Sequence, residues 1–210
     1  MKKKIRKKNN LSNKEPTKDI SKDDIKNKIP LATSRNLKKI KISNDVVFGT
    51  NQIPIIAGPN GVENFELMVK VAKQLKKNKI KIIRGHAYKP LTFPYRSKMY
   101  KESKSSGMDI MDEIKDNFNL KVVTEVTEIG YLDRITRTAD ILQIGSRNMQ
   151  NLELLKEVSK TKFPIILKRH FGASLRDFLG AAEHILVEGN QNLILCERGV
   201  SIPHTHRPTS

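Results

Sequence analysis

An α/β fold of (β/α)8-barrel type, with about its first six βα units present and a β-hairpin ahead of them, is the architecture this sequence predicts. Three observations predict it. Six short Ile/Val/Leu-rich runs recur, at 53–60, 80–86, 120–125, 141–147, 165–170 and 193–199. Near-continuous apolar runs suit strands buried on both faces of a parallel sheet. Amphipathic stretches alternate with them, as βαβ units require. Each run also ends in a polar, mostly charged cluster, at the end where such a barrel gathers its chemistry.

The elements follow in order. Residues 1–30 carry Lys2, Lys3, Lys4, Arg6, Lys7 and Lys8 and few large apolar side chains. Such a segment cannot offset its ordering entropy by burial, so it is expected to be a disordered basic tail. Residues 31–52 are read as a linker and a hairpin, with Lys39-Ile-Lys-Ile and Val46-Val-Phe flanking a Ser-Asn-Asp turn. From Ile53 to Ser210 strands and helices alternate. Phe65, Met68, Val69, Ala72 and Leu75 have helical spacing over 65–77. Further helices are expected near 108–117, 128–137, 151–159 and 174–188. The sixth unit has no helix after its strand. A complete eight-fold barrel usually takes about 250 residues, so a chain of 210 residues is expected to be a natural truncation, a fragment or a remnant. An open sheet of this kind exposes edge strands, which favours a homo-oligomer or association with another chain.

Composition narrows the class. The net charge is +18 and the pI about 10.0. The basic tail could bind acidic surfaces. It has no interleaved aromatics for base stacking, so solvated charge is preferred to nucleic-acid binding. Cys196 is the single cysteine, which excludes an intrachain disulfide and suits a reducing, cytoplasmic setting. No apolar run approaches the roughly 20 residues of a membrane span. No apolar segment follows the basic start as a secretory signal would need.

The strand ends carry the chemistry. Arg84, Arg147, Lys168 and Arg198 end strands, and Lys89 follows the turn after the second. Converging cations need an anion, and guanidinium forks match phosphate or carboxylate. Gly145 and Ser146 precede Arg147, and glycine would let backbone N–H groups approach a phosphate. Glu125 ends the third strand, where it either orients a water or a lysine, or balances charge. Lys89 could protonate a carbonyl oxygen. His204 and His206 form an H-x-H pair, a possible metal arm without an identified third ligand; a solvated loop, or phosphate contact by Arg207, is preferred there.

Ordered motifs then point to a family. Ile-Ile-Ala-Gly-Pro-(x)-(x)-Val-Glu (55–63), Arg-Gly-x-Ala-Tyr-Lys-Pro-x-Thr-x-Pro-Tyr (84–95), Val-Val-Thr-Glu (122–125), Gln-Ile-Gly-x-Arg-Asn-x-Gln-Asn (143–151), Leu-Lys-Arg (167–169) and Ile-Leu-Cys-Glu-Arg-Gly (194–199) resemble the type Iβ 3-deoxy-7-phosphoheptulonate (DAHP) synthases, across residues 31–210. The related 3-deoxy-octulosonate-8-phosphate (KDO-8-phosphate) synthases share the fold. The resemblance implies a transferase with a (β/α)8 barrel. It would condense phosphoenolpyruvate with erythrose 4-phosphate and release phosphate, the first step of the shikimate pathway to chorismate and aromatic amino acids. It implies that Arg84, Lys89, Gly145, Ser146, Arg147, Lys168 and Arg198 hold phosphoenolpyruvate. Glu125 would help position the attacking water, and Lys89 would protonate the aldehyde oxygen. Pro90 and Thr92 would face the aldose phosphate, and the hairpin would close the barrel's bottom.

Departures from the motifs qualify these implications. Asn60 stands at the family's cysteine metal ligand, and an amide is a poor replacement for thiolate. Strands seven and eight, which carry the other ligands, are absent. The expectation is therefore no metal or weak divalent metal. Leu91 replaces the arginine that grips the aldose phosphate, and His86 replaces a glycine beside the same site. Besides the synthase reading, two alternatives stay open. One is a catalytically impaired or inactive paralogue that keeps a phosphoenolpyruvate half-site or pairs with another chain. The other is a metal-independent KDO-8-phosphate synthase-like enzyme.

Overall fold

The computed structural model describes residues 26–34, 38–88, 103–201 and 208–209. Its centre is one curled parallel sheet in the order β3-β4-β5-β6-β7-β8. These strands are β3 (Ile56–Ala57), β4 (Ile82–Arg84), β5 (Lys121–Glu125), β6 (Ile141–Ile144), β7 (Ile165–Lys168) and β8 (Leu193–Cys196). They alternate with α1 (Phe65–Lys77), α2 (Lys104–Phe118), α3 (Leu132–Thr138), α4 (Leu152–Lys160) and α5 (Leu175–Val187). Each strand pairs with the next in sequence, the progression expected of an opened (β/α)8 barrel. A hairpin of β1 (Ile40–Ser43) and β2 (Val46–Phe48) precedes the sheet. A short antiparallel ladder of β9 (Val200–Ser201) and β10 (Pro208–Thr209) follows it.

Local chemistry explains the helix limits. Asn64 and Asn151 accept the N–H groups of Leu67 and Leu154 and so cap α1 and α4. Ser174 and Asp177 form a reciprocal capping box on α5. Asn119 ends α2 at φ 46°, a left-handed conformation that asparagine tolerates better than most residues. The first strand is shorter than its apolar run. Ile53 and Ile55 are exposed and only Ile56–Ala57 pairs, because Pro54 has no N–H to give a ladder and only one side of β3 has a neighbour.

Side chains alternate faces along a strand, and this organises the core. Outward-facing Ile83 and Val122 pack with α1 and α2, and Leu142, Ile144, Ile165 and Leu167 with α3, α4 and α5. On the concave face, Ile82, Val123, Ile141 and Ile166 form one apolar layer with Ile56 and Ile194. Val46 of the hairpin, with Ile42 and Phe48, packs against that layer from the N-terminal ends of the strands. An ion pair of 3.1 Å between Lys81 and Asp45 ties the hairpin to the entry of β4.

The expected tail boundary at residue 30 is displaced toward the N-terminus. Ile29 is buried, and Leu31 and Ala32 donate their N–H groups to Glu183 on α5 at 3.1 and 2.7 Å. The carboxylate holds a segment too poor in apolar groups to dock by burial alone. Residues 1–25 lie outside the described residues. Charge-assisted hydrogen bonds contribute roughly 1.5–3 kcal/mol each. Glu183→Ala is therefore expected to cost about 2–4 kcal/mol in urea unfolding, with Glu183→Gln recovering part of it. An unchanged unfolding midpoint in Glu183→Ala would remove this tether from the account.

Candidate active site

Two residues beyond the concave apolar layer, the same face turns polar. Ile82 is followed by Arg84, Val123 by Glu125, Ile141 by Gln143, Ile166 by Lys168 and Ile194 by Cys196. The period-2 alternation of strands thus stacks a charged layer on an apolar one, at the C-terminal ends. The loops add Arg147, on a turn of 3-10 helix (Ser146–Asn148) after β6, and Arg198 after β8.

Glu125 lies at the centre of the layer. Its carboxylate accepts a 3.0 Å hydrogen bond from Gln143 Nε2. Burial raises its pKa above the ordinary carboxylate range, against the Gln143 bond and the charges of Lys168, Arg147 and Arg84, which lower it. Lys168 is shifted down. Burial is the main cause; Arg198 and Arg84 add to it, while Cys196 and Glu125 oppose it. Arg198 donates from Nη1 to Ser146 Oγ at 2.8 Å, and its guanidinium lies 4.1 Å from the centre of the Phe171 ring. Arg84 donates from Nη2 to the Gly58 carbonyl at 3.3 Å, and its Nε is buried with no acceptor among the described residues. An unmet buried donor costs roughly 1–3 kcal/mol.

Two glycines make this layer possible. Gly58 has φ +143°, and a Cβ there would lie 2.1 Å from the Arg84 carbonyl oxygen. Gly145 has an ordinary backbone, φ −65° and ψ 153°, but a Cβ there would lie 2.0 Å from Glu125 Oε1. The space at Gly145 is taken by the neighbouring carboxylate.

The structure thus brings Arg84, Glu125, Gly145, Ser146, Arg147, Lys168 and Arg198 to one end of one sheet. Arg84, Arg147, Lys168 and Arg198 form no ion pair among the described residues. Arg169, adjacent to Lys168, turns away instead: it binds Glu197 at 2.6 Å and the Ala173 carbonyl, and so braces the loops. Lys89, Pro90, Leu91 and Thr92 lie outside the described residues, as do His204, His206 and Arg207. The flanks of the Lys89 segment are anchored. Tyr88 stacks on Tyr131 with ring centres 4.1 Å apart, Lys104 donates its N–H to the Ala87 carbonyl, and Ser103 Oγ donates to the Val62 carbonyl. Sequence reasoning gave Gln143 no role, and the expectation that His86 borders the aldose site involves residues outside those described. His86 is buried under Glu125, and its ring accepts the Glu125 N–H. The signal for Gln143 was its spacing two residues past Ile141, the offset Glu125 has from Val123.

A divalent metal does not fit the donors described. Asn60 is exposed and neutral, and among the described residues no three His, Cys, Asp or Glu side chains gather into a possible metal site. A groove of about 430 Å³ runs outside β8, lined by Leu31, Leu186, Leu193 and Leu195 among others. The charged layer lies on the concave face, and its chemistry marks it as the candidate site.

The profile of the DAHP synthetase I family matches residues 36–209. The chain belongs to the DAHP synthetase I family. Phospho-2-dehydro-3-deoxyheptonate aldolase of Thermotoga maritima is 40% identical over 156 residues, 74% of this chain and 45% of that protein. The 2-dehydro-3-deoxyphosphooctonate aldolase of Fusobacterium nucleatum is 29% identical over 168 residues, 78% of this chain and 60% of that protein. The crystal structure of the Thermotoga maritima DAHP synthase superposes with a TM-score of 0.71 at 37% identity, covering 79% of this chain and 47% of that one. A truncated form of the Thermotoga enzyme superposes equally well, at 35% identity, covering 82% and 61%. This member of the DAHP synthetase I family therefore spans about half the length of the curated relatives it matches. Its open six-stranded sheet corresponds to part of their barrels.

Proposed function

We propose that this chain carries the phosphoenolpyruvate-binding part of a DAHP synthase-type active site and supports condensation of phosphoenolpyruvate with an aldose phosphate. The observation that carries the reading is the set of cations at the strand ends, Arg84, Arg147, Lys168 and Arg198. Arg84, Arg147 and Lys168 lie close enough to the largely buried Glu125 carboxylate to act on its charge, Arg198 acts on Lys168, and none of the four forms an ion pair among the described residues. Phosphoenolpyruvate places a phosphate and a carboxylate on three carbons, so it needs several fixed cations at short range. In the reaction C3 of phosphoenolpyruvate bonds to the aldehyde carbon of the aldose while water adds to C2. The phosphate then leaves with its bridging oxygen. Glu125 sits where a carboxyl group can orient that water or take its proton, and Lys89 is assigned the proton for the new alkoxide. The setting proposed is cytoplasmic; among the described residues no helix is long and apolar enough to cross a membrane.

A second reading concerns the aldose. The heptonate relative makes a seven-carbon acid and the octonate relatives an eight-carbon one, so four- and five-carbon aldoses are the respective partners. Asn60 and Leu91, which depart from the heptulonate-synthase motif, are the observations behind the five-carbon reading, whereas the higher identity is to the heptonate relative. The test measures phosphoenolpyruvate binding by calorimetry, then phosphate release with each aldose phosphate, with metal or chelator. Binding is expected, and Lys168→Met should weaken it about 10- to 100-fold, the equivalent of one charge-assisted contact. Absence of binding to the wild-type chain would overturn the reading. Binding without phosphate release would leave a half-site that needs another chain.

A further inference from the structure

We propose that His86 is a positioning residue for Glu125, acting as a neutral imidazole with its proton on Nε2. The ring is 1% exposed. It is wedged at the end of β4, where the neighbouring Gly85 N–H bonds to the Val123 carbonyl and the His86 carbonyl accepts the Val62 N–H. His86 Nδ1 accepts the backbone N–H of Glu125 at 2.9 Å. A ring nitrogen that accepts an N–H is using its lone pair and bears no proton, so the proton of the neutral ring lies on Nε2.

That Nε2 faces the same space as the reacting carboxyl group. It is 3.3 Å from the Gln143 amide and 3.8 Å from Glu125 Oε2. The Gln143 amide is itself 3.0 Å from Glu125 Oε2. With Glu125 ionised, the Gln143 NH2 donates to the carboxylate and the His86 N–H adds favourable charge from beneath. With Glu125 protonated, the amide can turn, so that its oxygen accepts from both His86 Nε2–H and the carboxyl O–H. His86 thus holds the Glu125 backbone by one nitrogen. By the other it turns its N–H toward the carboxylate when Glu125 is ionised, and donates to the turned Gln143 amide oxygen when Glu125 is protonated. A residue that takes and returns a proton needs both states held in place.

The kinetic consequence rests on the synthase reading, whereas the tautomer rests on the geometry alone, and the experiment separates the two. Long-range 15N spectra of histidine-labelled protein at neutral pH are expected to show His86 with an unprotonated Nδ1 and a protonated Nε2. Gln143→Leu should move the Nε2 signal without changing the tautomer. The Nδ1–H form or a doubly protonated ring would overturn the proposal. His86→Asn keeps an acceptor in place of Nδ1 but loses the group at Nε2. It is expected to leave phosphoenolpyruvate affinity within about threefold while kcat falls about tenfold or more. His86→Gln, whose amide reaches toward the Nε2 position, should regain part of kcat. Wild-type kcat in His86→Asn, or equal losses of affinity and kcat in both variants, would reduce His86 to a structural role. If the wild-type chain releases no phosphate but shows the expected tautomer, the condensation reading fails and the assignment of the His86 proton stands.

Discussion

Gly145→Ala is expected to lower turnover by about 100-fold or more, the scale of an ångström-level displacement of a reacting group. The backbone at Gly145 is one that alanine adopts readily, so the cost comes from space alone. An added Cβ would lie 2.0 Å from Glu125 Oε1 and 2.8 Å from its Cδ. The carboxyl group must swing away, and it then loses the Gln143 hydrogen bond and its place among Arg84, Arg147 and Lys168. Overpacking of this kind typically costs about 1–3 kcal/mol of stability. A double-mutant cycle tests the cause. In a Glu125→Ala background the obstructing carboxylate is gone, so Gly145→Ala should cost little stability there. An equal cost in both backgrounds would show that Gly145 is needed for another reason, and the packing of Glu125 against it would lose its functional meaning.

The architecture was legible because parallel strands announce themselves twice, by unbroken apolar runs and by polar residues at one end. The hairpin, the six strands and the five helices follow from that pattern, with the helix ends fixed by Asn64, Asn151, Ser174 and Asn119. What local pattern could not show was competition between neighbours. Ile53 and Ile55 look like strand residues, but the pairing a strand needs comes from elsewhere in the chain and is missing for them. Arg169 and Lys168 look equivalent in sequence; Glu197, distant in sequence, claims Arg169 and leaves Lys168 to the concave face. Nothing in the Gly145 segment itself reveals that Glu125 of the adjacent strand fills the space beside it. Arg84, Arg147, Lys168 and Arg198 could be picked out in the sequence because each ends or closely follows a strand. The groups that hold Glu125 could not, because their role exists only across strands.

Glu125→Gln is expected to separate activity from stability, with opposite signs. Loss of a positioned acid or base costs about 10²–10⁴ in rate, so phosphate release should fall by that range while phosphoenolpyruvate still binds. Stability should move the other way at neutral pH. Burial raises the Glu125 carboxyl above its unfolded value, more than Gln143 and the nearby cations lower it. Between the unfolded and the folded value the native state binds more protons than the unfolded chain, so stability falls as pH rises through that window. Above the window the native protein bears the whole cost of a desolvated carboxylate, and glutamine removes it. The variant is thus expected to unfold at higher denaturant concentration than wild type at neutral pH, and the gap should close as pH falls below the ordinary carboxylate range. Phosphoenolpyruvate brings further negative charge toward the same carboxylate, so its binding should be tightened rather than weakened by the substitution. A variant less stable than wild type at neutral pH would mean that Arg84, Arg147 and Lys168 outweigh desolvation. Glu125 would then be the counter-ion of the cluster, and the proton-transfer role assigned to it would have to pass to another group.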